Sequence, residues 1–426
     1  MDAPAPSPVY AAARERRDLL LPTAERGMRV VQLTDPADGA FSHVYMESHV
    51  LTPDGRFLVL RHAQEPDPPP WGRGARYVLC DLQEGFRLRA VTDEPGATGP
   101  SVSPDGQWMY YLVDQTEVGG GAWSVRRVEL ATLRRETLAT FDAPVPGAGG
   151  RHLSRLYPLT SIASDGRRLC GAGFLGDGVS TDGPWGLFVF DVAAATAQVV
   201  LAGRDYCNLH PQFCRSCDAE AARDILVQHN HGCVYDAAGR VSRLTDEVGA
   251  DIHVIRDEGS DFRSLPWGRD GRERCQGHQA WRGELRSAVT SLGCSDGTQP
   301  VIEGWPVTVT EETAHQGRLV PDGRRGDPGR HLARPGFVHF GFDATGTRFI
   351  SDISRQQDGI VLGTWPAEED AHLRLRFLVQ HRSSFGRSQL THPHPFLAPD
   401  GRRAFWNSDE PGQPTAFLVE GFGYPA

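Results

Sequence analysis

Thr52-Pro53-Asp54-Gly55-Arg56-Phe57-Leu58-Val59-Leu60 is a tight turn that runs straight into an apolar strand. Asp-Gly supplies the glycine that a short connection between strands needs, and the apolar run behind it has the length of a buried strand. The pattern returns as Ser103-Pro104-Asp105-Gly106-Gln107-Trp108-Met109-Tyr110, as Ala163-Ser164-Asp165-Gly166, as Asp343-Ala344-Thr345-Gly346 and as Ala398-Pro399-Asp400-Gly401. Successive copies lie roughly fifty to sixty residues apart, the period of a four-stranded propeller blade. The longer gap from Asp165 to Asp343 holds two degenerate copies, Cys217-Asp218 leading to Asp224-Ile225-Leu226-Val227 and Trp281-Arg282-Gly283 leading to Ser287-Ala288-Val289-Thr290. The count predicts an all-β, seven-bladed β-propeller in a single domain. Met28 to Leu33 is a lone strand ahead of the first copy and is expected to close the ring. Residues 1–27 then form an N-terminal extension, and residues 28–426 form the propeller.

Composition agrees. The chain has 426 residues, 48 of them Gly and 31 Pro, which favours many short strands over long helices. Its formal net charge is -10 and no Arg-rich run stands out, which argues against nucleic acid as a partner. Lys is absent, so no lysine can act as a base or form a Schiff base. Met1 to Arg29 lacks the apolar core of a secretory signal, and no stretch of apolar residues is long enough to span a bilayer. A cytoplasmic protein with reduced cysteines and no membrane partner is expected. Cys214-Arg215-Ser216-Cys217 has the spacing of half a zinc site, with Cys207 and Cys233 nearby, but one such pair is a weak signal.

Histidine carries the chemistry. His43 precedes the first turn, His210 the fourth, His278 the fifth, His339 the sixth, and His392 and His394 the seventh. Recurrence at one point of the repeat places histidine on one face of the disc, and propellers bind ligands on the axis of that disc. In Gln389-Leu390-Thr391-His392-Pro393-His394-Pro395 the two histidines are expected on one side of a strand, stiffened by proline, with Gln389 near them. Three such N and O donors suit a divalent metal, and His278 is the best candidate for a fourth. The plain alternative is a pair of surface or capping histidines.

On these residues the chain resembles the oligogalacturonate lyases, seven-bladed-propeller polysaccharide lyases, from Val30 to Val419. Gln389-x-x-His392-x-His394-Pro395 and His278 match the family's metal-binding positions, and His43, His210, His229 and His339 fall where the family has histidines. The resemblance implies a divalent ion, manganese first, with zinc or calcium as alternatives, held by His278, Gln389, His392 and His394. It also implies β-elimination on short galacturonate oligomers, so the expected partner is an acidic oligosaccharide. One position departs from the family. The family's base is an arginine in a run corresponding to Leu187-Phe188-Val189-Phe190-Asp191-Val192, where Val189 stands here, and no arginine lies between Arg168 and Arg204.

Eliminative cleavage needs a base for the C5 proton of a uronate, an acid for the leaving oxygen and a cation on the carboxylate. His210 is the candidate base, Tyr157 the acid and Arg155 the carboxylate clamp. A turn histidine beside Pro211, a packing tyrosine and a solvated arginine are the corresponding plain readings. His43, His229, His231 and His339 are candidate substrate-binding residues, and His229 with His231 on one strand face could instead bind a second metal. Loss of the family's arginine leaves a competing reading, a non-catalytic propeller similar to the TolB repeat proteins that binds a sugar or protein partner. A propeller attached to a peptidase or hydrolase is not expected, because the repeats leave no residues for a second domain.

Overall fold

The computed structural model describes the chain except residues 1–8, 64–74, 181–182, 266–272, 276, 295–304, 311–315, 319–336, 354–358, 366–373, 387 and 426, and gives the backbone alone for 273–275, 291–294, 305–310, 316–318 and 374. Each quoted turn forms as expected. The glycine N–H bonds back to the residue three before it, Gly55 to Thr52 O at 2.7 Å and Gly106, Gly166 and Gly401 to Ser103, Ala163 and Ala398 O at 2.8 Å. These glycines have φ of 65°, 70°, 70° and 68°, a region that L side chains rarely adopt. Every such turn joins an innermost strand to the second strand of its sheet.

The strands make an all-β propeller. Among the described residues there are seven antiparallel sheets of four or five strands and one two-stranded hairpin. Their second strands are Phe57–Ala63, Trp108–Glu117, Arg168–Gly176, Asp224–Asn230, Ser287–Cys294, Arg348–Ile353 and Arg403–Ser408, each following one of the repeats read from the sequence. The hairpin, Val234–Tyr235 with Val241–Arg243, is inserted in the fourth sheet. Helical structure among the described residues is confined to single 3-10 turns, and no helix is long and apolar enough to cross a membrane.

Ring closure follows from pairing. Arg29–Gln32 adds to the last sheet, with Val30 opposite Val419 and Val31 opposite Leu418. The chain before it is also engaged: Arg14–Glu15 pairs with Gln32 and Val31 as a further edge strand, and Leu19 is buried with Ile350, Leu362 and Leu378. Between sheets the core is aromatic and aliphatic. In the sixth, Phe337, Phe340, Phe349, Trp365 and Phe377 pack as one buried cluster. Removing one such ring costs about 3–5 kcal/mol, because neighbouring sheets cannot close over the cavity.

Candidate active site

The innermost strands and the loops just ahead of them bring six histidines together, His43 and His339 from the strands Ala40–His43 and Phe337–Phe342, and His210, His278, His392 and His394 from the loops. His210, His278 and His394 each stand two residues before an innermost strand, Gln212–Phe213, Ala280–Trp281 and Phe396–Leu397. Each has a left-handed backbone, with φ of 45°, 56° and 44°. Such conformations cost on the order of 1–3 kcal/mol in a non-glycine residue and persist where surrounding structure enforces them. The repeat therefore turns three equivalent side chains toward a common centre.

Four imidazoles form the first cluster. The rings of His278 and His339 lie 4.5 Å apart, those of His339 and His394 4.3 Å, and those of His392 and His394 5.5 Å. One donor atom from each of His339, His392 and His394 lies within 4.8 Å of the other two. Asp352 fixes the tautomer of His339: His339 Nδ1–H donates to Asp352 Oδ2 at 2.8 Å, and the backbone N–H of His339 donates to Oδ1 at 2.8 Å. His339 Nε2 is buried and has no hydrogen-bond partner among the described residues, as is true of His278 Nδ1 and His394 Nε2. His392 Nε2–H donates to Gly386 O at 3.0 Å, which leaves Nδ1 as its acceptor nitrogen. Burial, then the neighbouring histidines, hold His278 and His394 well below the usual imidazole range, so both are neutral near pH 7. Burial alone would raise the Asp352 carboxyl, but His339 and its N–H bring it below the usual range.

Buried, uncharged imidazole nitrogens without partners are costly unless something else binds them. They fit a divalent cation, and the carboxylate behind His339 is the outer support that such ligands commonly have. Gln389 lies exposed in the 3-10 turn Gln389–Thr391 and also lines the adjoining pocket, while His339, expected to bind substrate, stands inside the imidazole cluster. The His392-Pro393-His394 segment is not a strand, because His394 is left-handed and the strand begins only at Phe396.

The second cluster holds a buried acid–base pair. His210 Nδ1 lies 3.0 Å from Glu47 Oε2. With the hydrogen on Nδ1, Nε2 is left as an acceptor. Burial pushes the Glu47 carboxyl up, with His210 as the main opposing influence. Tyr157 sets its ring edge on His210, centroids 5.5 Å apart, and donates its O–H to Asn208 Oδ1 at 2.6 Å. Tyr45 joins the clusters, its ring 5.2 Å from His210, 4.5 Å from His394 and 5.8 Å from His339.

A pocket beside these groups is lined by His43, Tyr45, Arg61, Gln389, His394 and Asn407, among others. His43 is almost wholly buried and donates from Nε2 to Pro393 O at 3.3 Å, so it braces the His392–His394 segment. Its pKa is lowered to about 3, chiefly by burial. The arginine of this pocket is Arg61, whereas Arg155 is partly buried with φ 47° just after the strand His152–Ser154. Val189 is buried in strand Trp185–Asp191, opposite Cys170 and Gln198, within the apolar core. His229 and His231 fall in a separate group with Asp205. Of the four cysteines read as a possible zinc site, Cys214 is buried and Cys217 exposed, and among the described residues no metal-type group includes a cysteine.

Tyr45, Glu47, Arg61 and Asp352 were not singled out from the sequence. Signals existed: Tyr45 and Glu47 follow His43 at strand alternation, and Arg61 interrupts the apolar run Phe57-Leu58-Val59-Leu60. Asp352 carries no local signal, because its partner lies across a strand pair.

No protein-family model matches the chain. Over 420 residues it is 23% identical to an oligogalacturonide lyase of Pectobacterium atrosepticum, spanning 93% of this chain and 94% of that one. A solved structure titled as an oligogalacturonate lyase in complex with manganese is 19% identical, with a TM-score of 0.67 and 96% of both chains covered. An oligogalacturonate lyase from Vibrio parahaemolyticus is 16% identical, with a TM-score of 0.66, covering 96% of this chain and 97% of that one. At these identities the chain is a divergent relative of those lyases, and the structural likeness carries the propeller fold.

Proposed function

We propose that this chain is a polysaccharide lyase that cleaves uronate-containing oligosaccharides by metal-assisted β-elimination, on a seven-bladed propeller spanning residues 28–426 with 1–27 as an extension. The observation that carries the reading is the set of buried imidazole nitrogens without hydrogen-bond partners among the described residues, next to the His210–Glu47 pair. Likeness over nearly the whole chain to an oligogalacturonide lyase supports the substrate class. His278, His339, His392 and His394 would hold the ion, with Gln389 on the pocket side, and manganese is the first candidate because a similar lyase structure contains it.

When bound, a divalent cation there supplies charge neutralisation for a uronate carboxylate, which makes the C5 proton more acidic. Arg61 lines the same pocket and is placed to pair with that carboxylate. His210 Nε2 takes the C5 proton. Its Nδ1–H stays donated to Glu47, whose charge stabilises the imidazolium as it forms. This arrangement replaces the arginine base that Val189 lacks. Tyr45, which lines the pocket and contacts both clusters, returns a proton to the leaving glycosidic oxygen. Tyr157 acts instead as a positioning residue, since its O–H is already donated to Asn208. The six described cysteines are thiols, in keeping with a cytoplasmic location.

The deciding experiment follows absorbance of the C4–C5 double bond while the protein is incubated with a panel of uronate oligomers, with and without EDTA. A chelator-sensitive rise on one substrate is expected. No rise on any, with metal bound by elemental analysis, would replace this reading with a non-catalytic binding propeller.

A further inference from the structure

A second cluster of metal-type side chains lies in the fourth sheet, apart from the four-histidine group. Its origin is a pairing of two short motifs. His229-Asn230-His231 ends one strand and Asp251-Ile252-His253 opens the next, with His229 directly opposite Asp251 and Val227 opposite His253. Directly paired residues of antiparallel strands share a face, and so do residues two apart. His229, Asp251 and His253 therefore project from one face of the sheet, and His231 continues it.

Asp205 completes the group from the preceding loop. Its carbonyl accepts the Asn230 N–H at 2.7 Å, and its Oδ2 lies 3.4 Å from His229 Nε2. His231 Nε2 lies 2.9 Å from Asp251 Oδ2. The rings of His229 and His231 are 4.5 Å apart, and Tyr206 stacks on His229 at 4.9 Å. Single donor atoms of Asp205, His229 and His231 all lie within 4.8 Å of one another, as do those of His229, Asp251 and His253.

The bland reading is two independent His–Asp ion pairs on a sheet face. That needs both imidazoles charged, with rings 4.5 Å apart. Imidazole nitrogens and carboxylate oxygens converge there within reach of one ion, a donor set that suits a divalent cation. Partial exposure leaves room for water or a ligand on the ion.

We propose that Asp205, His229 and His231 bind a divalent cation of the zinc class, with Asp251 holding the His231 ring in place. Imidazole nitrogen with a single carboxylate oxygen and an open position suits such an ion better than calcium or magnesium. The proposal does not depend on the lyase reading.

The test strips the protein with chelator, dialyses it, and titrates it with Zn²⁺, with stoichiometry read by elemental analysis and Co²⁺ absorption as the spectroscopic probe. Two equivalents are expected for the parent, one for His231→Ala, one for His392→Ala, and none for the double variant. A single equivalent that His231→Ala removes and His392→Ala leaves would still support this site, while removing the four-histidine one. His231→Ala with the parent's stoichiometry and Co²⁺ spectrum overturns the proposal. Circular dichroism checks folding, and Asp205→Asn, which keeps the side chain's shape, serves as a second variant with at least a tenfold weaker Zn²⁺ affinity expected.

Discussion

His210, His278 and His394 share a backbone conformation as well as a side chain, and the shared conformation aims them at one another. Substitutions should separate their roles. His210→Asn is expected to lower turnover on the order of 10²–10⁴-fold, the usual weight of a general base, with metal content unchanged. Turnover equal to the parent's would remove His210 as the base. Asp352→Asn tests the outer support of the metal group. It keeps the shape but loses the charge behind His339, and metal affinity should fall about 10–100-fold. Equilibrium dialysis against Mn²⁺ reads this directly, and an unchanged affinity would reduce Asp352 to a packing residue.

At the scale of the element, the strand Arg29–Gln32 is the informative one. It pairs with Thr415–Glu420 on one side and with Arg14–Glu15 on the other, so its backbone serves two ladders. Proline at Val31 would remove an amide from that ladder and clash with its neighbours. Val31→Pro should lower the denaturant midpoint and open the ring at its seam, whereas Val9→Pro, at a highly exposed position near the start of the described chain, should leave it unchanged. Equal midpoints for the two variants would mean that the seam contributes little. The chain is tied down well ahead of the closing strand, with Arg14–Glu15 paired to it and Leu19 buried among residues of the last two sheets.

For the whole molecule, buried neutral histidines set the acid limit. Burial lowers the pKa of His43 to about 3 and that of His49 well below its usual value, with Arg215 adding to the effect at His49. In the unfolded chain both take up a proton near pH 6.5. Between about 6.5 and the folded values the unfolded state binds more protons, so stability rises with pH there and is lost as pH falls. Denaturant unfolding in EDTA should give a lower midpoint at pH 5 than at pH 7.5. His49→Met should show a smaller drop between the two, and a drop equal to the parent's would exclude His49 as a contributor.

The sequence alone was enough for the propeller, its closing strand and most of the histidines, because these rest on local rules. An Asp-Gly turn before an apolar run needs no distant contact to be read, and a residue type recurring at one point of a repeat must recur on one face. His339 could be found this way, but not its place among the metal-type imidazoles, and Gln389 was expected where the structure has an exposed turn residue. The pairings His210–Glu47 and His339–Asp352, and the meeting of Tyr45 with both clusters, join different sheets or opposing strands. Only the tertiary structure decided them, since the distance between two side chains across a closed ring depends on how every sheet between them packs, and no local spacing records that.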